Sequence, residues 1–305
     1  MATVWVIGSL NVDRGWRVHR HPLVGETVLG QVVPPAAGGK GLNQAVAAVR
    51  AGAAVALVGR VGDDDEGRWL VGLAAAEGID VAGVGTTAQQ PTGSALIVVA
   101  ADGSNTVTVD PGANATLSVG PGLGIAEGDV VVAQLEVPVD AVRKAFAVAR
   151  AVGATSILNP SPIGEGRSLV PLADVVVVNQ AEAAELAGVG EQAGNAVEAL
   201  AQALAIAGHD ASGAAGGTLA QTVVVTLGAD GVAAAGPAGQ VSVPGIAVEP
   251  VDTTGAGDCF LGVLAASLAE GRDLDAALAR ANQAASIAVT RQGTVAAMPY
   301  DVELG

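Results

Sequence analysis

Two aspartates frame a glycine turn near the end of the chain. Residues 252–258 have the sequence Asp-Thr-Thr-Gly-Ala-Gly-Asp and lead into an apolar run that begins at Cys259. Glycines two residues apart let backbone N–H groups point into one concavity at a helix start, where they would stabilise a phosphoryl anion. Asp258 would lie in the first helical turn, where it could accept the proton of an attacking hydroxyl. An ordinary acidic helix start is the alternative, but it does not require an aspartate on each side of the glycines.

A second glycine cluster also precedes a helical pattern. Residues 38–45 have the sequence Gly-Gly-Lys-Gly-Leu-Asn-Gln-Ala, and Lys40 is one of only two lysines in the chain. Lys40 and Asn43 lie three residues apart, hence on one helical face, and both can donate hydrogen bonds to hydroxyls. The segment is not a Walker A loop, because Pro34 stands at the place of its first glycine and Gly41 at the place of Ser/Thr. We predict that this cluster binds a substrate.

Other polar residues follow predicted strands, at the end of a sheet where open α/β folds bind ligands. Asn11 and Asp13 follow the first strand, and Glu136 follows a later one; from position alone, each is equally well explained as part of a polar turn. Asn179 and Glu182 follow another strand with the spacing of a capping box, which is the simpler explanation for that pair.

The elements that must position these residues alternate between strand and helix, which predicts a doubly wound, mainly parallel α/β sheet. Short aliphatic runs predict strands at Val4–Ile7, Ala54–Gly59, Val130–Ala133, Thr155–Leu158, Val175–Val178 and Thr222–Thr226. Helical patterns cover Leu42–Ala51, Glu66–Glu77, Val139–Val152, Glu182–Ala187, Ala193–Ala207, Cys259–Glu270 and Leu274–Val289. Residues 13–35 and 92–109 break the alternation with extended segments, and we expect them to form a small β layer beside the main sheet within one domain of residues 1–305.

Composition excludes several classes of protein. Half of the 305 residues are apolar, which excludes intrinsic disorder, and a formal net charge of −16 argues against a nucleic-acid partner. The single cysteine, Cys259, excludes an internal disulfide and multi-cysteine metal sites. No signal peptide or membrane span is visible, so we expect a soluble cytoplasmic protein. The glycine-rich residues 208–218 are expected to be a surface insertion.

Taken together, the motifs resemble those of the ribokinase-like sugar kinases, the phosphofructokinase-B family. The two signatures of that family are Gly-Gly-Lys-Gly-x-Asn, here at 38–43, and Gly-Ala-Gly-Asp, here at 255–258. The resemblance extends over nearly the whole chain, through segments 8–13, 38–48, 61–64, 111–114, 134–136, 158–160, 179–182, 226–231, 252–258 and 288–293.

This resemblance implies ATP- and Mg²⁺-dependent phosphoryl transfer to a primary sugar hydroxyl, with D-ribose and its 5-hydroxyl as the expected acceptor. It implies that Asp258 is the base and that the amides of Gly255, Ala256 and Gly257 stabilise the transition-state charge. The implied sugar-binding residues are Asn11, Asp13, Gly39, Lys40, Asn43, Glu136 and Asp258. The implied ATP-binding residues are Asn179, Thr226, Gly228, Gly231, Gly257 and Asn282, with Glu182 holding Mg²⁺ through water.

The resemblance also implies that residues 13–35 and 92–109 form a β-sheet lid over the sugar, that a homodimer forms through this lid, and that the chain has a K⁺ site. Asp252, Thr254, Ala288, Arg291 and Gly293 match the K⁺-binding positions of the family. Ala297 stands where the family has a serine ligand, so K⁺ activation is expected to be weaker or absent.

Two alternatives to a ribose kinase are open. A kinase of the same fold could act on a nucleoside, deoxyribose or another sugar, although the lid offers mainly Trp16 as an aromatic surface for a base. A non-catalytic sugar-binding protein is the other alternative, but binding alone would not require Asp258.

Overall fold

The computed structural model describes residues 2–120, 122–207 and 221–305, so the predicted insertion at 208–218 lies outside the described residues. The helices are α1 (Lys40–Arg50), α2 (Asp65–Ala76), α3 (Val139–Val152), α4 (Gln180–Ala187), α5 (Ala196–Ala207), α6 (Ala256–Ala269) and α7 (Leu274–Ala288). The strands are β1 (Thr3–Ile7), β2 (Asn11–Val18), β3 (Gly30–Gly38), β4 (Ala54–Gly62), β5 (Asp80–Thr87), β6 (Gly93–Ala100), β7 (Asn105–Asp110), β8 (Val130–Ala133), β9 (Thr155–Leu158), β10 (Val175–Asn179), β11 (Thr222–Thr226), β12 (Gly231–Gly236) and β13 (Gly239–Pro244).

The main sheet of the described residues has nine strands in the order β13-β12-β11-β10-β9-β8-β1-β4-β5. All pairs from β11 to β5 are parallel, whereas β12 and β13 form an antiparallel hairpin at one edge. The predicted doubly wound, mainly parallel sheet is confirmed. Sequence analysis missed β5, β12 and β13 because their glycine, alanine and exposed polar residues do not form the aliphatic runs by which buried strands are recognised.

Helices cover both faces of the main sheet because successive strand residues point to opposite sides. Val4 and Val6 of β1 pack into a core with α1, α2, α6 and α7, whereas Ile7 packs into a second core with α3, α4 and α5. In β8, Val132 packs into the first of these cores and Ala133 packs into the second. No helix in the described ranges is both long enough and apolar enough to cross a lipid bilayer.

The predicted lid is a second, four-stranded sheet in the order β3-β2-β6-β7. β2 pairs antiparallel with β3 and parallel with β6, and β6 and β7 form the predicted hairpin. β2 begins at Asn11, only four residues after β1 ends at Ile7. The lid therefore projects directly from the end of the main sheet that carries the candidate site residues.

Helices α1 and α6 pack in direct backbone contact at Gly262. A Cβ atom at this position would overlap the carbonyl oxygen of Gln44 and would lie 2.6 Å from the Cβ of Ala47. Only glycine therefore fits this crossing without displacing α1. The close approach places the first turn of α1 beside the first turn of α6.

We predict that Gly262→Ala lowers the free energy of unfolding by about 1–3 kcal/mol, because overpacking at this contact outweighs the better helix propensity of alanine. Gly72→Ala in α2 is the matched control, since a Cβ there would meet no atom within 4 Å. Urea denaturation should show the control to be stabilised by up to about 1 kcal/mol. A Gly262→Ala protein as stable as the control would contradict the close-contact explanation.

Candidate active site

The glycine turn forms the start of α6. Gly255 precedes the helix with a φ of +76°, a left-handed conformation that glycine adopts without strain. Beside it, a Cβ on Gly257 would meet no atom within 4 Å, so this part of the turn is open to the adjoining cleft. The N–H groups of Gly255 and Gly257 have no hydrogen-bond partner among the described residues and are available to an anion, whereas the Ala256 N–H donates to the carbonyl oxygen of Thr253 at 3.3 Å.

The carboxylate of Asp258 lies at the same helix start and is only 8% exposed. Its Oδ2 accepts a hydrogen bond from Nδ2 of Asn43 at 3.0 Å, and its Oδ1 accepts one from Nε2 of Gln44 at 2.8 Å. Both donors belong to α1, so the α1–α6 contact joins the two glycine-rich motifs in one site. Oδ1 of Asn43 is buried and has no partner among the described residues, which leaves an acceptor for a ligand.

Glu136 organises the polar residues at the ends of β1 and β8. Its Oε2 accepts hydrogen bonds from the Ser9 hydroxyl at 2.5 Å, from the backbone N–H of Lys40 at 3.1 Å and from Nδ2 of Asn11 at 3.4 Å. Nδ2 of Asn114 donates to Oδ1 of Asn11 at 2.8 Å and fixes the orientation of that amide. The residues predicted from strand-end positions therefore lie together.

Gly39 allows the start of α1 to lie close to the start of β2. Its φ is +90°, and a Cβ there would lie 2.8 Å from the backbone nitrogen of Asn11 and 2.9 Å from the carbonyl oxygen of Ser9. A side chain at this position would force β2 and the start of α1 apart.

Charges in this cluster influence each other strongly. Burial raises the pKa of Asp13 to about 7, with further contributions from the negative charges of Glu136 and Asp258. Burial alone would lower the pKa of Lys40, but the carboxylates of Asp258, Glu136 and Glu182 outweigh this effect and raise it. Lys40 is thus a half-buried ammonium that balances several carboxylates at one point.

A cleft of about 850 Å³ adjoins Asp258 and the start of α6. Apolar side chains such as Ile246, Val248 and Val289 line part of it. The predicted ATP-binding residues all line it, namely Asn179, Thr226, Gly228, Gly231, Gly257 and Asn282. The volume and the mixed lining fit a nucleotide-sized ligand that has an apolar base and a charged tail.

Asn179 and Glu182 form the capping box that their spacing predicts. The Asn179 side chain accepts from the Glu182 N–H at 2.9 Å, and the Glu182 carboxylate accepts from the Asn179 N–H at 3.0 Å. Both residues also line the cleft. No cluster of three or more His, Cys, Asp or Glu residues within the described ranges could hold a metal ion directly.

The structure also brings the predicted K⁺-site residues together. Asp252 accepts hydrogen bonds from the backbone N–H groups of Thr254 at 2.9 Å and Gly293 at 3.0 Å. Burial opposes ionisation of Asp252, but these hydrogen bonds prevail and lower its pKa. Ala288 and Arg291 belong to the adjoining turn, in which the N–H of Arg291 donates to the carbonyl oxygen of Ala288 at 3.0 Å. Ala297 is buried nearby and offers only a methyl group.

Cys259 follows Asp258 but is inert, as expected from the sequence. It is fully buried, and burial raises the pKa of its thiol to about 12.

Sequence reasoning missed four buried polar residues that complete the site. Ser9, Gln44, Asn114 and Gln134 are each 0% exposed and hydrogen-bond to the candidate residues or to one another. Their sequence signal was a polar residue within or beside an apolar segment, such as Gln134 after the four apolar residues of β8. That signal does not reveal which other residue is the partner.

Comparison with known proteins agrees with this architecture. A model of the "pfkB family carbohydrate kinase" matches residues 1–301. A ribokinase of Haemophilus influenzae is 36% identical over 302 residues, which cover 97% of this chain and 95% of that protein. A ribokinase of Cryptococcus neoformans, solved with ADP, matches with a TM-score of 0.84 and 28% identity over 100% of this chain and 99% of its own. An Arabidopsis thaliana ribokinase, solved with ribose and ATP, matches with a TM-score of 0.82 and 26% identity over 100% and 98% of the two chains.

We predict that Asp13→Asn stabilises the sugar-free protein increasingly as pH rises. The pKa of Asp13 is raised from 3.8 to about 7 on folding, so its ionisation costs stability between about pH 4 and 7, and the full cost is present above pH 7. The variant avoids this cost and should gain up to about 4 kcal/mol over wild type at pH 8 but much less at pH 5.

Urea denaturation at both pH values measures this difference. Asp140→Asn, which removes an exposed carboxylate from the first turn of α3, is the control and should show no such gain between pH 5 and 8. A pH-independent effect of Asp13→Asn would show that Asp13 does not carry the unfavourable charge.

Proposed function

The chain belongs to the pfkB family of carbohydrate kinases, and on that premise we propose that it transfers the γ-phosphoryl group of ATP to the 5-hydroxyl of D-ribose. The products are ribose 5-phosphate and ADP. One observation supports this function above all others. The carboxylate of Asp258 lies at the start of α6, between a cluster of directional hydrogen-bonding groups and a cleft of nucleotide size.

In this proposal Asp258 accepts the proton of the sugar hydroxyl as that oxygen attacks the γ-phosphorus atom. The N–H groups of Gly255, Ala256 and Gly257 would stabilise the charge on the transferred phosphoryl group. Those of Gly255 and Gly257 have no partner among the described residues, and that of Ala256 would give up a long, 3.3 Å hydrogen bond to Thr253. Since Asp258 and these amides share one helical turn, the attacking oxygen and the phosphoryl group meet at a fixed separation.

We propose that the sugar is held by Asn11, Asp13, Gly39, Lys40, Asn43, Glu136 and Asp258. Their amide, carboxylate and ammonium groups can distinguish one pattern of hydroxyls from another, which apolar contact cannot do. The partnerless Oδ1 of Asn43 supports this assignment, since a sugar hydroxyl would satisfy it. In the lid, Ala95 is small and buried and provides no surface on which a nucleoside base could stack, which favours a bare sugar over a nucleoside.

We further propose that ATP occupies the 850 Å³ cleft, where Asn179, Thr226, Gly228, Gly231, Gly257 and Asn282 would contact it. Mg²⁺ would be held through water by Glu182, whose carboxylate faces the same space. Bound there, Mg²⁺ would supply charge that neutralises the phosphates. An ATP-dependent activity and a reduced, buried Cys259 support a cytoplasmic location.

A weak K⁺ site is proposed beside the start of α6. Asp252 supplies an ionised carboxylate, and backbone carbonyls of Thr254, Ala288, Arg291 and Gly293 would supply neutral ligands. The residues present fit a monovalent cation except at Ala297, whose methyl group cannot coordinate. We therefore expect modest activation by K⁺.

We also propose that the chain is one kinase domain whose lid forms a homodimer. Val107 and Val109 of β7 are 54% and 44% exposed, and they pair with Ile97 and Ala95 on the same face of the lid. An exposed apolar sheet face of this kind is typical of a protein interface.

We predict that the wild-type protein sediments as a dimer of its 29.5 kDa chain and that Val107→Asp shifts it to the monomer, because a buried charge would oppose association. Val197→Asp is the control, since Val197 is 76% exposed on α5, outside the lid. Analytical ultracentrifugation measures both. A wild-type monomer, or a Val107→Asp dimer of unchanged affinity, would contradict the lid interface.

The substrate is tested by ADP release from MgATP with D-ribose, deoxyribose, fructose and a set of nucleosides, each with and without K⁺. We expect D-ribose to give the highest kcat/KM and K⁺ to raise it only slightly. Faster turnover of a nucleoside or hexose would overturn the ribose assignment and leave the kinase mechanism standing. Absence of turnover with every acceptor would favour a sugar-binding protein without catalysis.

Asp258→Asn is the matching test of the mechanism. It should lower kcat by about 10²–10⁴-fold, the usual contribution of a general base, while calorimetry detects ribose binding within a few-fold of wild type. Asp275→Asn makes the same change in the exposed first turn of α7 and should retain full activity. Undiminished turnover by Asp258→Asn would remove this residue from its role.

A further inference from the structure

Two buried glutamine amides form a chain that ends on Asp258. Nε2 of Gln134 donates to Oε1 of Gln44 at 3.0 Å, and Nε2 of Gln44 donates to Oδ1 of Asp258 at 2.8 Å. Both glutamine side chains are 0% exposed. This hydrogen-bond chain links the end of β8, helix α1 and the first turn of α6, which are far apart in sequence.

The direction of donation along this hydrogen-bond chain is determined by Asp258, the residue at which it ends. An ionised carboxylate only accepts hydrogen bonds, so Gln44 must turn its NH₂ group toward Asp258 and its carbonyl oxygen away. That oxygen in turn needs a donor, which the NH₂ group of Gln134 supplies. The carbonyl oxygen of Gln134 is then left buried, with no partner among the described residues. A buried, partnerless carbonyl is destabilising, so a gain elsewhere must explain why this arrangement persists.

Backbone packing confines the Gln134 amide to one plane, within which the donor that Gln44 requires determines the positions of its nitrogen and oxygen. A Cβ on Gly8 would lie 2.6 Å from Oε1 of Gln134 and would overlap its Nε2. The same Cβ would lie 2.6 Å from Cα of Gly41. The amide is therefore clamped against the backbone just beyond β1 and beside the start of α1, and it presents its donor to Gln44 in one orientation.

The two oxygens of Asp258 are held by different kinds of group. Oδ2 is bonded by Asn43, which also carries a free acceptor for a ligand, whereas Oδ1 is bonded by Gln44, whose other polar atom is occupied by Gln134. Gln44 is also 0% exposed, so in this structure it presents no polar atom to a sugar. Its contacts serve Asp258 alone.

We propose that Gln44, held in place by Gln134, is a positioning residue that fixes the orientation and the ionised state of the Asp258 carboxylate. The inference rests on the proposed function of Asp258 as the base. Neither glutamine contacts the reacting atoms; Gln134 acts only through Gln44, and Gln44 acts only through Oδ1.

Several charged groups besides Gln44 bear on this carboxylate. Lys40 of α1 and Asp13 of β2 interact electrostatically with Asp258, and Glu136, which lies beyond β8, interacts with both Lys40 and Asp13. Cys259 of α6 is neutral at physiological pH because burial raises its pKa to about 12. Among these charges of both signs, Gln44 makes a direct hydrogen bond to Oδ1 of Asp258 at 2.8 Å, and such a bond stabilises the charged form of a carboxylate.

We predict that Gln44→Met, which preserves volume but removes the donor, lowers kcat at pH 7 by about 10-fold or more with less than about a 3-fold change in KM for ribose. Loss of a donor to the ionised form raises the pKa of the carboxylate, so the acidic limb of the kcat–pH profile should move upward by about one pH unit. Gln134→Met should shift the limb in the same direction by a smaller amount, because Gln44 keeps its donor but loses its support.

A variant with both glutamines replaced tests the hydrogen-bond chain directly. If Gln134 acts only through Gln44, then Gln44→Met/Gln134→Met should be no slower than Gln44→Met alone. Gln202→Met is the matched control, because Gln202 is also buried, donates one hydrogen bond and leaves its carbonyl oxygen without a partner, but lies in α5. We expect it to lose thermal stability as the others do, while its pH profile should match that of wild type.

A second measurement does not depend on turnover. In protein labelled with ¹³C-aspartate, the ¹³Cγ signal of Asp258 is identified by its loss in Asp258→Asn, and its titration should move to higher pH in Gln44→Met and in Gln134→Met. If wild type shows no kinase activity, the proposed function fails while this titration still tests the positioning role. If wild type is active but neither variant shifts the titration or the pH profile, or if the two substitutions reduce kcat independently, the positioning role is wrong. Should Gln44→Met fail to fold, the shift in Gln134→Met decides the question.

Discussion

The contact between α1 and α6 at Gly262 is the constraint on which the site depends. Because no side chain intervenes, the first turns of the two helices lie side by side, and the two glycine-rich motifs face each other. One motif supplies the sugar-binding donors of the proposed mechanism, and the other supplies the base and the anion-binding amides. A wider crossing would separate Asn43 and Gln44 from Asp258 and leave a buried carboxylate without hydrogen bonds.

This contact also explains how so much negative charge is accommodated. The charges of Glu136 and Asp258 both act on Asp13, and the half-buried ammonium of Lys40 offsets the charges of Glu136 and Asp258. The remaining compensation comes from neutral donors: Ser9 and the Lys40 N–H for Glu136, and Asn43 and Gln44 for Asp258. The site is thus preorganised by dipoles as much as by charge, as expected where catalysis depends on stabilising developing charge.

The position of α6 relates the two ligand spaces of the proposed kinase. Its first turn faces the cleft on one side through Gly255 to Gly257 and the polar cluster on the other through Asp258. The other polar residues of the site lie at the carboxyl ends of strands, along the same edge of the sheet. They are Asn11 after β1, Glu136 after β8, Asn179 at the end of β10 and Thr226 at the end of β11. Parallel pairing of β1, β8, β10 and β11 within one sheet aligns these ends.

Local signals in the sequence were enough to predict most elements and several site residues. Aliphatic runs identified six of the parallel strands, and the asparagine–glutamate spacing predicted the capping box at Asn179 and Glu182. Strands such as β5 and β12 were not predicted, because their glycine- and alanine-rich segments lack a run of aliphatic residues. Their place in the sheet depends on pairing with neighbours, which is a property of the whole fold.

By itself, the sequence determined which residues have the chemistry for phosphoryl transfer, because glycine conformation, helix capping and side-chain donors are properties of a few consecutive residues. Only the tertiary structure decided which of them meet. Gln134 and Gln44 are separated by 90 positions, and Gln44 and Asp258 by 214, yet their amides and carboxylate form one chain. Such partnerships are set by the packing of helices on a sheet, and a buried polar group takes whichever partner that packing brings within hydrogen-bonding distance.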